Sequence, residues 1–390
     1  MKALLFERKE ARYVAAAVAG RVRPGLGAAV GPLRLATVDE PELPADDWVR
    51  VTPRLTGICG SDLATVEGRS SRYFEPFVSF PFIPGHEVVG DTADGRRVAL
   101  EPVLGAEARQ QAAPFPGAAP GDGDDYGYLL DGPIAAGIQI GFCADTGGGW
   151  GERLVAHPSQ IHDVPDDLSD EAAVMLEPAA GGVHAAAKAQ IDDGATVLVL
   201  GCGTMGLATI AALRSFTNPG TIVAVAKYRH QADFAEAFGA DRVLGPSEVR
   251  RGVRRLVGCR MLGDDLSGGV DITVDAVGNG RSIADSVAVT RPRGRVVLVG
   301  MPGVERLDMT GIWHRETELV GAYTYGTDVM PNGRVATSFT MGMELVAQTG
   351  LEKLVSAHYP LDRWRDAITH AAEAGSRGAV KVVFDQRTAR

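Results

Sequence analysis

Two short runs in the first quarter of the chain contain side chains that bind metal ions. The run GICGSD at 57–62 contains Cys59, and the run GHEVVG at 85–90 contains His86 and Glu87. A thiolate, an imidazole and a carboxylate together suit Zn(II), and a catalytic zinc site keeps one position for water or substrate. Taken singly, such a cysteine is often a core residue, and a histidine between glycines can cap a turn. Taken together, these residues predict a catalytic zinc site.

A glycine-rich run in the middle of the chain predicts a dinucleotide site. The run VLVLGCGTMGL at 197–207 fits the pattern G-x-G-x-x-G between an apolar strand and an apolar helix. Gly201 permits the tight turn, Gly203 lets the backbone approach a pyrophosphate, and Gly206 allows the helix to pack closely on the strand. A chance glycine-rich turn is the alternative, and the flanking strand and helix argue against it. The residues expected to bind the cofactor here are Gly201, Gly203, Thr204, Met205 and Gly206.

The next strand lacks the acidic residue that NAD-binding sites place at its end. That acid holds the adenosine ribose hydroxyls, whereas the strand at 221–225 is followed by AKYR at 226–229. Lys227 and Arg229 can pair with a 2′-phosphate, so NADP(H) is favoured over NAD(H). A solvent-facing basic turn is the alternative. Two residues that end later strands at the same sheet edge are also expected to contact the cofactor: Gly278 and Val299.

The apolar pattern divides the chain into two regions. The first region is rich in prolines, glycines and β-branched residues with short strand-like runs, which predicts a mostly-β domain. In the second region, apolar strand-like runs alternate with helical stretches, which predicts an α/β fold with a doubly wound parallel sheet of the Rossmann type. We therefore expect a catalytic domain at 1–178, completed by 328–390, and a dinucleotide-binding domain at 179–327.

The order of these motifs resembles that of a known enzyme family. CGSD at 59–62, GHE at 85–87, LEP at 176–178 and then G-x-G-x-x-G follow one another as in the zinc-containing medium-chain dehydrogenase/reductases, especially the polyol and threonine dehydrogenase branch. The likeness spans nearly the whole chain and implies a GroES-like catalytic domain beside the Rossmann domain. It implies an oxidoreductase that transfers hydride between a nicotinamide cofactor and an alcohol, aldehyde or ketone. Relatives join through their Rossmann halves, so a homodimer or homotetramer is expected.

The resemblance assigns roles to individual residues. Cys59 and His86 resemble the zinc ligands of the family. Glu87 and Glu177 resemble the carboxylates that ligate the zinc ion or its water, and either can be the direct ligand. Ser61, two residues after the metal cysteine, resembles the hydroxyl that begins the family's proton relay. These residues form the expected catalytic set.

The segment after the catalytic histidine departs from the family. Many relatives carry four closely spaced cysteines there, which bind a second, structural zinc ion, whereas residues 105–132 contain no cysteine. We therefore expect one zinc ion per subunit and no structural zinc, in a lobe that is either floppier or held by packing of Phe115, Tyr126 and Tyr128. The opening segment at 12–35 is also longer than the family's usual hairpin.

Net charge and composition limit the classes of molecule that the protein is expected to bind. A net charge of −10 disfavours nucleic acid and anionic membranes and favours a small-molecule substrate, an alcohol or a carbonyl compound. The N-terminal apolar stretch is too short for a signal peptide and the cysteines form no C-x-x-C pair, so a cytoplasmic protein is expected. Two other interpretations stay open: a zinc-free NADPH-dependent quinone or enone reductase, and a non-catalytic nucleotide-binding redox sensor. Zinc content separates the zinc enzyme from both, and turnover separates an enzyme from a sensor.

Overall fold

The computed structural model describes residues 1–387 of the 390-residue chain as two compact units, Met1–Glu177 with the segment from Gly350, and Pro178–Thr349. The strands are β1 (Lys2–Phe6), β2 (Leu33–Thr37), β3 (Val49–Gly57), β4 (Val88–Thr92), β5 (Arg97–Leu100), β6 (Leu154–Ala156), β7 (Ile161–Asp163), β8 (Thr196–Leu200), β9 (Thr221–Val225), β10 (Arg242–Leu244), β11 (Met261–Leu262), β12 (Asp265–Leu266), β13 (Val270–Asp275), β14 (Thr290–Leu298), β15 (Glu318–Gly321), β16 (Thr327–Val329), β17 (Val335–Thr337), β18 (Val355–Tyr359) and β19 (Lys381–Asp385). The α-helices are α1 (Glu10–Val22), α2 (Gly27–Val30), α3 (Gly60–Val66), α4 (Asp170–Ala173), α5 (Leu176–Ala189), α6 (Thr204–Phe216), α7 (Arg229–Ala237), α8 (Val249–Val257), α9 (Gly280–Val289), α10 (Thr310–His314), α11 (Ser338–Thr349) and α12 (Trp364–Ala372). None of the helices within residues 1–387 combines the length and apolarity needed to cross a bilayer.

A seven-stranded sheet forms the body of the first unit. Its strands run in the order β18-β19-β3-β4-β5-β7, and β6 also pairs with β3. The pairs are antiparallel except for β18 and β19. Val51, Val98, Leu100 and Leu154 are buried in one cluster that packs against this sheet. The predicted mostly-β domain is confirmed, and the C-terminal strand β19 lies inside its sheet rather than at an edge.

Six parallel strands form the sheet of the second unit, in the order β10-β9-β8-β13-β14-β15. This is the strand order of dinucleotide-binding Rossmann folds, in which the order reverses beside the first strand. Val197, Leu198 and Val199 of β8 are fully buried, as expected for a parallel sheet with helices on both faces. The predicted doubly wound fold is confirmed.

The second unit extends further along the chain than we expected. The sequence assigned residues 328–349 to the first unit, but they belong to the second. Asp328 accepts a hydrogen bond of 2.6 Å from Ser338 and lies 2.9 Å from Nδ1 of His184. Phe339 of α11 packs edge-on against Tyr325, with ring centroids 4.7 Å apart. These contacts hold the hairpin of β16 and β17 and helix α11 on the Rossmann unit.

The cysteine-free lobe is organised around one buried arginine. Arg109 is fully buried, and burial lowers the pKa of its guanidinium. It donates hydrogen bonds to the backbone carbonyl oxygens of Leu104 (3.2 Å), Asp131 (2.9 Å), Ala135 (3.3 Å) and Gly137 (2.7 Å). A guanidinium has five donors in a fixed plane, so one side chain can join several turns of backbone.

Packing of three aromatic side chains was one of the two alternatives for this lobe, and the structure leaves two of the three exposed. Phe115 and Tyr126 are 44% and 51% exposed, and Tyr128 is half-buried. The buried apolar residues of the lobe are instead Ala108, Ala119 and Leu129. The lobe is therefore held by a polar centre with a modest apolar surround.

Two helices, α1 and α2, fill the long opening segment between β1 and β2. One face of α1 packs on the first unit through the fully buried Ala16 and through Tyr13, whose hydroxyl donates to the Ser70 carbonyl oxygen at 3.2 Å. The buried Glu67, which follows α3, accepts a hydrogen bond of 2.5 Å from the backbone N–H of Gly25. The insertion therefore packs against the far end of α3, the helix that begins beside Cys59.

Candidate active site

The structure brings three of the predicted metal ligands together. The Sγ atom of Cys59, a ring nitrogen of His86 and a carboxylate oxygen of Glu87 all lie within 4.8 Å of one another. Bonds of about 2.0–2.3 Å to a tetrahedral zinc ion place its ligand atoms roughly 3.3–3.8 Å apart. Side-chain movements of about 1 Å would therefore bring these three atoms to the distances of a zinc site. The histidine and the glutamate are buried and the cysteine is half-buried. The donor set and its spacing fit zinc.

The local backbone sets the positions of these ligands. Strand β3 ends at Gly57 and helix α3 begins at Gly60, so Cys59 occupies the N-cap of α3. Asp62 accepts a hydrogen bond of 3.0 Å from the backbone N–H of Cys59, which fixes this turn. A Cβ atom at Gly57 would overlap the carboxylate of Glu87, so glycine is required where the strand passes it.

Asp62, which the sequence analysis did not single out, also faces the ring of His86. Its Oδ1 atom lies 3.4 Å from His86 Nδ1, and both atoms are buried without a hydrogen-bond partner among the described residues. Burial acts to lower the pKa of His86, but the charge of Asp62, aided by Cys59, raises it well above its usual value. With Nδ1 facing a carboxylate, Nε2 is the nitrogen left for a metal ion, as in many zinc sites. The sequence signal for Asp62 was its position three residues after Cys59, because an acidic residue there can cap the start of the helix.

A buried lysine lies against Glu87. Lys381 Nζ is 2.6 and 2.7 Å from the two carboxylate oxygens of Glu87, and the two side chains are 2% and 1% exposed. Burial acts to lower the pKa of Lys381, but the charge of Glu87, then those of Cys59 and Glu177, raise it above its usual value. These negative charges therefore favour the protonated form of the lysine. The only sequence signal for it was a lysine at the start of an apolar strand.

The other two predicted catalytic residues lie outside the three-ligand cluster. Glu177 is in the first turn of α5 and is not one of the residues within 4.8 Å of each other, although its charge acts on Lys381. In this structure Glu87 is therefore the carboxylate beside the cysteine and the histidine. Ser61 is half-buried in the first turn of α3, and its carbonyl oxygen accepts a hydrogen bond from Thr65.

The glycine-rich motif of the second unit has the backbone geometry that we predicted. Gly201 has a φ of +98°, in the region that favours glycine. A Cβ atom at Gly206 would collide with the carbonyl oxygen of Gly201, whereas one at Gly203 would meet no protein atom within 4 Å. Helix α6 begins at Thr204, so Thr204 and Met205 form its first turn. The helix N-terminus therefore follows directly on the turn, as a pyrophosphate site requires.

Two exposed cations and no acidic residue are found among the four residues that follow β9. Ala226 is buried, and Lys227 extends over the ring of Tyr228 at 5.3 Å from its centroid. The side chain of Arg229 is 92% exposed and lies 3.4 Å from Asp233. Helix α7 begins after Tyr228 without a side-chain cap. A helix N-terminus beside two cations suits a phosphate group.

Asp275 shapes the loop that carries Gly278. Its Oδ1 atom accepts hydrogen bonds from the backbone N–H groups of Val277 (2.8 Å) and Gly278 (3.0 Å), and burial raises its pKa. Gly278 has a φ of +73°. The backbone N–H of Val299 donates to the Asp275 carbonyl oxygen at 2.9 Å. Gly278 and Val299 thus lie at the carboxyl edge of the sheet, and Asp275 contacts the backbone of both residues.

Two known sequence families match the chain, one in each unit. The alcohol dehydrogenase GroES-like domain matches residues 45–166, and the zinc-binding dehydrogenase family matches residues 204–339. These matches cover the regions that contain the three-ligand cluster and most of the Rossmann sheet.

Individual relatives match over most of their length. A sorbitol dehydrogenase of Bacillus subtilis (strain 168) is 26% identical over 377 residues, which cover 91% of this chain and 95% of the relative. A probable zinc-binding alcohol dehydrogenase of Mycobacterium tuberculosis is 31% identical over 280 residues, 70% of this chain and 66% of the relative. The solved structure of 2R,3R-butanediol dehydrogenase from Bacillus subtilis has the same fold, with a TM-score of 0.69 at 21% identity, covering 98% of this chain and 99% of that one. The chain belongs to the zinc-dependent medium-chain dehydrogenase family.

Proposed function

We propose that the protein is a zinc-dependent dehydrogenase that transfers hydride between NADP(H) and an alcohol or the corresponding aldehyde or ketone. The observation that carries this proposal is the convergence of Cys59, His86 and Glu87 from two separate segments of the first unit. A bound zinc ion would act there as a Lewis acid that makes an alcohol more acidic and polarises a carbonyl group in the reverse direction.

The charges around the cluster favour a divalent cation. Glu87 and Asp62 carry negative charge, Cys59 would add another as a metal-bound thiolate, and Lys381 offsets only part of this charge. Asp62 contacts both the backbone of Cys59 and the ring of His86, so it orients two ligands at once. We assign Asp62 and Lys381 to positioning and charge balance, and Cys59, His86 and Glu87 to metal binding.

Two further residues complete the proposed catalytic set. Glu177 is close enough to influence Lys381 electrostatically, which makes it the second carboxylate available to the metal or its water. Ser61 follows Cys59 by two residues and is half-buried in the first turn of α3. Its hydroxyl is our candidate for the first group to accept the proton that the alcohol loses.

NADP(H) is the proposed cofactor because the end of β9 offers cations where an NAD site needs an acid. Charge-assisted hydrogen bonds contribute about 1.5–3 kcal/mol each, or about tenfold or more in affinity. Lys227→Glu and Arg229→Glu should therefore each weaken NADPH binding at least tenfold while changing NADH binding little. Arg251→Glu, an exposed charge reversal on α8, is the matched control. Equal loss for both cofactors would show that the two cations do not read the 2′-phosphate.

One zinc ion per subunit is proposed, because the lobe that binds a second ion in relatives has no cysteine. Residues 1–387 contain one group of three or more potential ligands at metal-binding distance, the cluster of Cys59, His86 and Glu87. In the lobe, Arg109 makes the connections between turns that a structural metal would otherwise make.

A homodimer joined through the Rossmann sheet is the proposed minimal assembly. Strand β15 ends the six-stranded sheet and leaves Leu319 39% exposed. Trp313 just before it is 79% exposed, and Met309 is 55% exposed. An apolar patch at an open sheet edge is a typical protein interface. Trp313→Asp should halve the mass in solution if a dimer forms through this edge.

Zinc content and cofactor binding test the proposal as a whole. Protein purified without chelator should contain one zinc ion per chain, and Cys59→Ala should remove it. Cys259→Ala, at a half-buried cysteine of the second unit, should retain it. No zinc in the wild type would favour the zinc-free quinone or enone reductase. Zinc and NADPH binding without turnover on any alcohol or aldehyde would favour the sensor.

A further inference from the structure

Helix α1 is apolar on its outer face as well as its inner face. Ala16 faces inward and is fully buried, whereas Val14, Val18 and Val22 are 62%, 60% and 78% exposed. A cluster of exposed apolar side chains on one helix face usually marks a contact with another molecule. With 13 residues, α1 is too short to span a bilayer, which needs about 20. The outer face is therefore suited to contact with another protein surface.

The outer face carries two neighbouring rows of side chains spaced four residues apart. The rows are Val14, Val18 and Val22, and Ala11, Ala15 and Ala19. Rows at this spacing form the ridges and grooves through which helices pack. The valines form a ridge, and the smaller alanines leave a groove. An antiparallel copy of α1 would place each valine ridge in the alanine groove of the other, with Val18 at a height between Ala11 and Ala15 of the partner subunit.

The charges on one edge of this face are also self-complementary. Glu10 and Arg21 are about three helical turns apart, so they project from the same edge of α1. A two-fold axis across an antiparallel pair brings Glu10 of each copy to Arg21 of the partner subunit. The Glu10 carboxylate is 84% exposed, and its ion pair with Arg8 is long, at 4.0 Å. No carboxylate within residues 1–387 is paired with Arg21. Arg12 lies on the opposite edge, where the antiparallel copy presents alanine.

We propose that the outer face of α1 is a two-fold contact with a second copy of this chain. The helix is about 20 Å long and about 10 Å wide, so the face can bury roughly 200 Å² per copy. A stable interface buries about 800 Å² per partner. The α1 contact is therefore weak, and we expect it to form only at high protein concentration.

Charge reversal gives a test that separates specific pairing from general stickiness. We expect Glu10→Arg and Arg21→Glu each to weaken the α1-dependent association about tenfold, because each variant turns two symmetric attractions into repulsions. The double variant should restore it. Arg12→Glu makes the same charge change on the other edge and should leave the association unchanged. Sedimentation velocity over a wide concentration range measures the assembled fraction.

Val18→Asp, at an exposed position, should abolish the same association without lowering the unfolding temperature or the zinc content. A mass distribution unchanged by Val18→Asp would overturn the proposal, as would a double charge variant that assembles no better than the single ones. Trp313→Asp affects the β15 edge alone, so a failure of the proposed β15 dimer can be distinguished from a failure of the proposed α1 contact. In a Trp313→Asp background, the α1 contact should persist only at the highest concentrations.

Discussion

Replacing Arg109 with methionine tests whether a buried guanidinium holds the lobe at 105–132. Methionine keeps much of the side-chain volume but removes every hydrogen bond that Arg109 donates. The bonds to the carbonyl oxygens of Leu104 and Gly137 are themselves buried, so these two acceptors would lose their partner without gaining water. At about 1–3 kcal/mol for each buried group left unsatisfied, the loss is about 2–6 kcal/mol. Relief of the buried charge offsets part of it, so we expect a net loss of about 2–4 kcal/mol.

Urea unfolding followed by intrinsic fluorescence measures this loss, and amide hydrogen exchange shows whether the lobe opens first. Arg109→Lys keeps the charge with fewer donors and should fall between wild type and Arg109→Met. Arg281→Met, at a side chain that is 91% exposed, is the control and should change stability by less than about 0.5 kcal/mol. If Arg109→Met behaves like this control and exchange in the lobe is unchanged, the guanidinium does not hold the lobe.

Three further predictions concern charged groups. Lys381→Met leaves the Glu87 carboxylate buried without its cation, so the free energy of unfolding in urea should fall by about 3–5 kcal/mol. Asp62→Asn removes the charge that faces His86, so zinc affinity in a chelator competition should fall about 10–100-fold at little loss of stability. Hydrogen bonds from two arginines hold the pKa of Glu373 at about 2, so its stabilising effect is complete above pH 4.5 and lost as pH falls toward 2. Glu373→Gln should remove that part of the acid dependence.

Each of these predictions can be contradicted directly. Unchanged stability in Lys381→Met would mean that Glu87 takes up a proton or finds water, and that the ion pair is not needed. Equal zinc affinity in Asp62→Asn would leave Asp62 only its role at the start of α3. An acid unfolding curve that is the same with glutamate or glutamine at position 373 would show that its ion pairs are screened by solvent.

The parts of the site that the sequence predicted each lie within one short motif of neighbouring residues. The glycine spacing in 201–206 specifies a turn whose geometry depends on neighbours in the chain, and the positive φ of Gly201 follows from it. His86 and Glu87 directly precede β4, which pairs with β3, and Cys59 is the second residue after β3. Because β3 and β4 are antiparallel, the residues that follow β3 lie beside the residues that precede β4. The two local motifs were therefore enough to predict the cluster.

The features that the sequence did not predict depend on partners far away in the chain or on an unusual environment. Lys381 meets Glu87 across 294 residues, and no local pattern links the two. Arg109 lies in a segment rich in alanine, glycine and proline, and an arginine there is expected on the surface because arginines are rarely fully buried. The end of the second unit was predicted at residue 327 and lies at residue 349. The sequences of β16 and β17 predict strands but do not indicate which unit those strands join.

The position of β19 determines when a newly made chain can complete its active site. This strand lies between β18 and β3 in the first unit, and Lys381 at its start neutralises Glu87. Chains emerge from the ribosome N-terminus first, and domains tend to fold as they emerge. The Rossmann unit is continuous from Pro178 to Thr349 and can close while synthesis continues. The metal-binding half must wait until β19 has been translated, so a nonsense mutation between the codons for Thr349 and Lys381 would remove the cation beside Glu87 together with an inner strand of the sheet.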